Sequence, residues 1–131
     1  MAALTAHETA QLKQIMEQRR QRLLEEIRDE LANSGEQHYI DLAGRVTDPG
    51  DESVADMLAD LDAAMVDRQV AEVREIEAAS KRLDADRYGV CADCGGEIGF
   101  ARLEVYPTAV RCIACQSIHE KTYAHEGNPT L

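Results

Sequence analysis

Bulky aromatic residues are scarce in this chain of 131 residues, which has no tryptophan, one phenylalanine and four tyrosines. Alanine, leucine and charged or amide side chains dominate up to about Asp86 instead, and this composition favours long helices over a wide globular core. Apolar runs are short as well, since none approaches the roughly 20 residues of a membrane span. The first residues lack the basic and apolar regions of a secretory signal. We therefore expect a soluble, cytoplasmic, mostly helical protein with no membrane partner.

Basic residues are also few. Lysine and arginine total 14 against 25 aspartates and glutamates, which gives a formal net charge of −11. Proteins that bind a nucleic-acid backbone need clustered basic side chains to displace counterions from the phosphates. The charge balance therefore argues against direct DNA binding.

Cysteine occurs four times only, as Cys91, Cys94, Cys112 and Cys115, in a C-x2-C-x17-C-x2-C array. Two C-x-x-C turns separated by a long loop are typical of a tetrahedral zinc site with four thiolate ligands. Such a shell is closed, whereas catalytic zinc keeps a position open for water or substrate, so we expect one structural Zn²⁺. The alternatives are two disulfides or four unliganded thiols.

Helical periodicity covers most of the chain before the cysteines. Thr5 and Glu8 have the form of a capping box, and leucine, isoleucine and methionine then recur at helical spacing to about Asn33. The course of residues 33–46 stays open, because they either continue the helix or bend away after the Asn-Ser-Gly at 33–35. Proline and glycine within residues 47–51 then interrupt any helix. A second helix is predicted from about Ser53, on the order of 45 Å long at 1.5 Å per residue.

Neither helix can bury its apolar stripe alone, so the sequence predicts an antiparallel two-helix coiled-coil hairpin attached to a small zinc module. We expect residues 1–9 to join the globular base and residues 10–85 to form the hairpin, with its tip at 47–53. Residues 86–131 are expected to form the four-cysteine zinc finger and a C-terminal helix. The acidic rod has no spare apolar face, so we expect a monomer.

The cysteine region resembles the zinc finger of the DksA/TraR family. The resemblance rests on the run Cys91-Ala-Asp-Cys94-Gly-Gly-Glu-Ile98-Gly-Phe-Ala-Arg102-Leu-Glu-Val-Tyr-Pro107-Thr-Ala-Val-Arg-Cys112-Ile-Ala-Cys115. Ala92 departs from the acidic residue or serine that is more usual there. The segment Asp48-Pro-Gly-Asp-Glu-Ser53 is similar to the family's Asp-x-x-Asp-x-Ala coiled-coil tip, at the family's interval before the first cysteine. The resemblance extends over nearly the whole chain.

This resemblance implies a transcription factor that binds RNA polymerase directly, inserts its coiled coil into the secondary channel and modulates initiation without contacting DNA. By the same resemblance, Asp48, Asp51 and Ser53 are the partner-binding residues of the tip, with Asp51 the stronger candidate of the two aspartates. An acidic rod suits a channel lined by basic groups. Ser53 takes the place of the family's alanine, and its hydroxyl is able to cap the second helix but is expected to disturb a close apolar contact with the polymerase.

Better-studied members of the family bind the alarmone ppGpp at the polymerase interface through basic side chains. At the matching positions this chain has Glu75, Tyr106 and Gln116. Polyphosphates need arginine or lysine partners, and a glutamate repels them. We therefore expect weak or absent ppGpp dependence, with Arg102 and Arg111 as either salt-bridge partners or ligand groups.

The segment 116–125 resembles the family's C-terminal helix. We expect Ile113, Ile118 and Tyr123 to supply an apolar face that packs on the finger and the hairpin base. His119 and His125 are not expected to bind metal, because four cysteines already fill the shell.

No spacing predicts an enzyme, since no nucleophile–base pattern or phosphate-binding loop is present. Three alternatives to a DksA-like regulator remain. The first is a transcript-cleavage or competitor factor at the same channel, with the tip aspartates holding Mg²⁺ in the cleavage case. The second is redox sensing by zinc-bound thiolates. The third is an interaction module that does not bind polymerase.

Overall fold

The computed structural model describes residues 3–46 and 66–127, and these ranges are mostly helical. Their regular structure consists of α1 (Ala6–Ala32), α2 (Gln37–Val46), α3 (Asp67–Asp84), α4 (Phe100–Val105) and α5 (Ile113–Gly127). Extended pairing within these ranges is limited to one isolated antiparallel bridge between Val90 and Glu97. The predicted mostly helical class is confirmed. Among the described residues, none of the helices combines the length and apolar character needed to cross a membrane.

The first helix begins where the capping box predicts. The Glu8 backbone N–H donates to Thr5 Oγ1 at 3.0 Å, and the Thr5 N–H donates to a Glu8 carboxylate oxygen at 3.0 Å. These two bonds satisfy backbone donors that the first turn of a helix leaves unpaired. One face of the helix is then buried along its whole length by Leu12, Met16, Leu23, Leu24, Ile27 and Leu31.

Residues 33–36 separate α1 from α2. Ser34 Oγ donates to the carbonyl of Leu31 at 2.8 Å, and this side chain also accepts from the Glu36 N–H at 3.2 Å. Gly35 has a φ of +84°, which lies in the left-handed region that side chains with a Cβ adopt only at a cost. The Asn-Ser-Gly sequence therefore ends α1 and reverses the chain.

Residues 37–46, whose course the sequence left open, form a separate helix that packs against α1. A connection of four residues between two packed helices makes them antiparallel neighbours. Leu42, Ala43 and Val46 of α2 are buried in one cluster with Leu31 of α1 and Val66 before α3. The described core of the helical rod is therefore formed by α1, α2 and α3, whereas the sequence analysis predicted two helices and left the course of residues 33–46 open.

Helices α1 and α3 run antiparallel, as the predicted hairpin requires. Gln69 near the start of α3 donates to Glu30 near the end of α1 at 3.2 Å, while Arg20 and Glu77 pair further toward the base at 3.2 Å. The ion pair between Arg19 and Glu72 lies between them along α3. The predicted tip residues Asp48, Asp51 and Ser53, and the predicted helix up to residue 65, lie outside the described residues.

A second, smaller cluster joins the first turns of α1 to the cysteine region. Its buried members are Leu12, Cys91, Ile98, Leu103 and Ala109. Leu4 packs on it close to Gly89, where a Cβ would lie 3.0 Å from a methyl carbon of Leu4. Gly89 also has a φ of +84°, so both its backbone and its surroundings require glycine. Tyr88 packs against both clusters and so connects the helical rod to the finger.

Candidate metal centre and its junction with the helices

The four predicted ligands come together at one point. The sulfur atoms of Cys91, Cys94, Cys112 and Cys115 all lie within 4.8 Å of one another. Cys94 Sγ and Cys112 Sγ are 4.0 Å apart, close to the edge of about 3.8 Å of a tetrahedron with zinc–sulfur bonds of about 2.3 Å. All four thiols are free, so the structure does not show the two-disulfide alternative. The donor set and its size fit one structural Zn²⁺.

Backbone N–H groups support the sulfurs in both turns. The Gly96 N–H donates to Cys94 Sγ at 3.4 Å, and the Cys115 N–H donates to Cys112 Sγ at 3.5 Å. In the first turn the Gly95 N–H also donates to the Cys91 carbonyl at 3.0 Å. Gly95 has a φ of +75°, which the tight turn requires. Donors aimed at sulfur stabilise the thiolate form that a metal needs.

The sulfurs also influence one another's ionisation. Burial works to raise the pKa of Cys91, but backbone donors from Cys94, Cys112 and Asp93 outweigh it and lower the pKa to about 6. The hydrogen bond from Cys115 to the Cys112 sulfur, with that to Cys91, raises the pKa of Cys115 to about 12. Thiolates this close repel one another, so four of them coexist only around a cation. One Zn²⁺ supplies that charge.

Arg102 and Arg111 connect the two cysteine turns. Arg111 Nε donates to a carboxylate oxygen of Asp93 at 2.9 Å, which links the second turn to the first. Arg102 Nε donates to the Arg111 carbonyl at 2.9 Å, and its guanidinium lies 5.5 Å from the centre of the Tyr106 ring. These arginines were expected to act either as salt-bridge partners or as ligand groups. The structure supports the first role, because both bond to oxygens within the finger.

Comparison with known proteins agrees with this geometry. Residues 86–121 match the family described as the prokaryotic dksA/traR C4-type zinc finger. The chain is 33% identical over 102 residues to the RNA polymerase-binding transcription factor DksA of Salmonella typhimurium, covering 76% of this chain and 68% of that protein. The chain belongs to the DksA/TraR family. Its zinc is therefore the structural ion of a C4 finger, bound by the four cysteines.

Two further relatives are also RNA polymerase-binding transcription factors named DksA. The DksA of Escherichia coli K12 is also 33% identical over 102 residues, with the same coverage of both chains. The DksA of Haemophilus influenzae is 39% identical over 83 residues, which are 63% of this chain and 57% of that protein. The matched part of the Haemophilus relative is thus less than two thirds of its length. An alignment of 102 residues is longer than residues 86–131, so it extends well into the helices before the finger.

The DksA/TraR finger of this chain meets the helical rod around the end of α3, at Arg82 in the last turn of α3 and at Tyr88, which follows α3 and packs against both clusters. Tyr88 Oη donates to the Pro107 carbonyl at 2.7 Å, and an Arg82 nitrogen lies 3.5 Å from the Thr108 carbonyl. Burial raises the pKa of Tyr88 to about 12, although the nearby Arg82 charge works in the opposite direction. Tyr88 therefore stays a neutral donor at neutral pH.

Replacing Tyr88 with phenylalanine is expected to destabilise the protein by about 1 kcal/mol at neutral pH, since the Pro107 carbonyl loses its donor. The folded pKa lies above the ordinary value of about 10, so the contribution of the neutral phenol is complete below about pH 10 and disappears as the pH rises toward 12. Urea unfolding of wild type, Tyr88→Phe and the control Tyr106→Phe between neutral and alkaline pH measures this. An alkaline loss of stability that persists unchanged in Tyr88→Phe would assign it to another group.

Two of the three residues that the sequence analysis placed at the family's alarmone-binding positions share one cavity. Glu75 and Tyr106 line a cavity of about 420 Å³ between α1, α3, the end of α4 and the segment that follows it. Gln116 does not line it, and its side-chain amide donates to Glu120 at 2.9 Å. The cavity and its additional carboxylate, Glu104, were not predicted from the sequence. They depend on how the finger sits against the rod.

The predicted packing of α5 is wrong for two of its three residues. Ile113 and Ile118 are 67% and 64% exposed, and the side chain of Tyr123 lies outside the described part of the chain. The reason is that Cys112 and Cys115 fix which side of α5 faces the finger. Gln116 and His119 follow on that side and are half-buried, while the two isoleucines lie about 110° away from it at 100° per residue. The metal cluster contains no histidine among the described residues.

Proposed function

We propose that this protein is an RNA polymerase-binding transcription factor. The observation that carries the proposal is the alignment with DksA proteins named for RNA polymerase binding, since it spans the zinc finger and much of the helical rod. Because a finger alone recurs in proteins of many functions, similarity across both parts is the stronger support. A cytoplasmic location follows from this partner.

The proposal extends to the route of binding. In it, the antiparallel rod enters the secondary channel of the polymerase, and Asp48 and Asp51 act near the catalytic centre without any contact to DNA. The net charge of −11 supports this, because an acidic rod is attracted to a basic channel and repelled by a DNA backbone. Ser53, in place of the family's alanine, is expected to weaken the contact of the tip.

We further propose that the factor acts with little or no help from ppGpp. Glu75 places a carboxylate where a polyphosphate needs a cation, and Glu104 lines the same cavity. Arg102 and Arg111, the two basic residues considered as ligand groups from the sequence, are both engaged by carbonyl or carboxylate oxygens within the finger. Among the described residues that line the cavity, Arg19 is the one arginine. It pairs with Glu72, so its guanidinium is already engaged.

Multi-round transcription from a ribosomal RNA promoter tests the proposal. Purified polymerase is combined with wild type, Asp51→Asn or the matched control Asp29→Asn, each with and without ppGpp. Wild type and the control are expected to change transcript yield equally in both conditions, while Asp51→Asn loses most of the effect. The control removes the same charge from the exposed side of α1.

Polymerase binding and transcript cleavage, measured on the same three proteins, separate the alternatives. Binding of all three proteins to polymerase with no change in transcription indicates a competitor for the channel. Stimulated transcript cleavage in a stalled elongation complex indicates a cleavage factor. Absence of binding by wild type rejects the proposed function.

A further inference from the structure

The cavity at the junction of rod and finger has the size and the mixed lining of a binding site. Its volume of about 420 Å³ lies within the range of roughly 300–1,000 Å³ usual for ligand sites. Ile15 of α1, Ile76 of α3 and Pro107 after α4 form apolar walls, and carboxylates of Glu75 and Glu104 lie among them. Three separate elements therefore create one concave, partly apolar and acidic surface.

The charge of this cavity is not balanced within it. Arg19 is the one lysine or arginine among the described residues that line it, and this arginine pairs with Glu72. Glu75 lies 3.5 Å from the hydroxyl of Thr108, which is neutral. Neither Glu75 nor Glu104 has an ion-pair partner within residues 3–46 and 66–127. Glu75 and Glu104 are exposed, but the apolar walls beside them reduce screening by water on one side and so strengthen their attraction for a cation.

The edge of the cavity carries apolar side chains that the fold leaves in water. Val105 is 83% exposed and Tyr106 is 45% exposed, and both line the cavity beside Glu104. Single exposed apolar residues are ordinary on protein surfaces. Here two successive exposed apolar residues border a concave acidic site. Protein–protein interfaces likewise place an apolar contact beside a charged one.

We propose that this cavity receives a lysine or arginine side chain, together with an adjacent apolar residue, from a partner protein. The basic group lies between Glu75 and Glu104, and its apolar neighbour covers Val105 and Tyr106. Charge complementarity selects this occupant, since a phosphate-bearing ligand meets two carboxylates and one arginine that is already paired. The identity of the partner as RNA polymerase rests on the function proposed above, whereas the chemistry of the occupant does not.

The first test is the affinity of purified polymerase for three forms of the full chain. The double variant Glu75→Gln/Glu104→Gln neutralises the cavity, and Glu17→Gln/Glu25→Gln removes the same charge from exposed positions of α1 outside it. We expect the cavity variant to bind about tenfold more weakly, and the control to stay within about threefold of wild type. Equal affinities of the two double variants would overturn the proposal.

A second test does not depend on polymerase. Wild type is titrated with N-acetyl-leucyl-arginine amide, with spermidine and with inorganic pyrophosphate while backbone amide resonances are followed. The arginine peptide is expected to shift the resonances of residues 104–106 and of Glu75 in wild type but not in Glu75→Gln/Glu104→Gln. Pyrophosphate binding there would overturn the proposal, as would saturation by spermidine with no response to the peptide. If polymerase fails to bind wild type while the peptide binds the cavity, the proposed function fails and the inference stands.

Discussion

Replacing Cys91 with serine is expected to reduce bound zinc from one ion per chain to none and to unfold residues 86–121. The physical reason is the size of the module. Its buried core consists of Leu12, Cys91, Ile98, Leu103 and Ala109, which is too few apolar side chains to hold a fold of this length without the metal. A structural zinc contributes on the order of 10 kcal/mol to small domains of this kind.

Cys91 is the most informative ligand to change because it has two roles. Its sulfur is a member of the metal cluster, and its side chain is only 2% exposed within the finger core. Serine is close in size but is a poor zinc ligand and brings a hydroxyl into that core. Loss of the ligand therefore removes the metal and leaves a polar group where sulfur had packed.

Zinc content and amide resonance dispersion measure this outcome. The matched control is Ala92→Ser, which introduces the same side chain at the exposed neighbouring position in the same turn and is expected to keep one zinc and a folded finger. Helices α1 and α3 are expected to keep part of their helical signal in Cys91→Ser, since most of their buried residues belong to the other cluster. A Cys91→Ser protein that retains one zinc and native resonances would show that the metal is not held by four thiolates.

Local sequence patterns predicted the parts of this molecule that depend on near neighbours. The capping box at Thr5 and Glu8 is confirmed, because both of its hydrogen bonds join residues three apart. The cysteine spacing predicted the ligand set, because two C-x-x-C turns have few ways to meet. Antiparallel pairing of α1 and α3 followed from apolar stripes that neither helix buries alone.

Features that depend on long-range packing were missed. The periodicity of residues 33–46 did not decide between a continuous helix and a reversal, and the decision comes from a core shared by Ala43, Leu31 and Val66. The exposure of Ile113 and Ile118 was missed because the metal, rather than the apolar pattern, orients α5. Glu75 and Glu104 are far apart in sequence, so no local pattern indicated that they line one cavity.

Replacing Ala43 with aspartate tests the reversal of α2 directly. Ala43 is 4% exposed, in the cluster that joins α2 to α1. A carboxylate there has no cationic partner within the described cluster, and its burial raises its pKa. The helix is expected to avoid that cost by leaving α1, which exposes Leu42 and Val46. Since each fully buried aliphatic side chain contributes about 1.5–3 kcal/mol, the expected loss for the two is about 3–6 kcal/mol.

The measurement is urea unfolding combined with hydrogen exchange of the α2 amides. The control Ala78→Asp makes the same change at an exposed position of α3, where an effect within about 0.5 kcal/mol is expected. Exchange in Ala43→Asp should become fast throughout Gln37–Val46, because α2 is too short to stay helical without its packing. The loss of stability in Ala43→Asp should become smaller as the pH falls below the raised pKa of the new carboxyl, because the neutral carboxyl is less unfavourable to bury than the carboxylate. Equal stability of the two variants would mean that α2 does not pack against α1, and the rod would then be the two-helix hairpin of the sequence prediction.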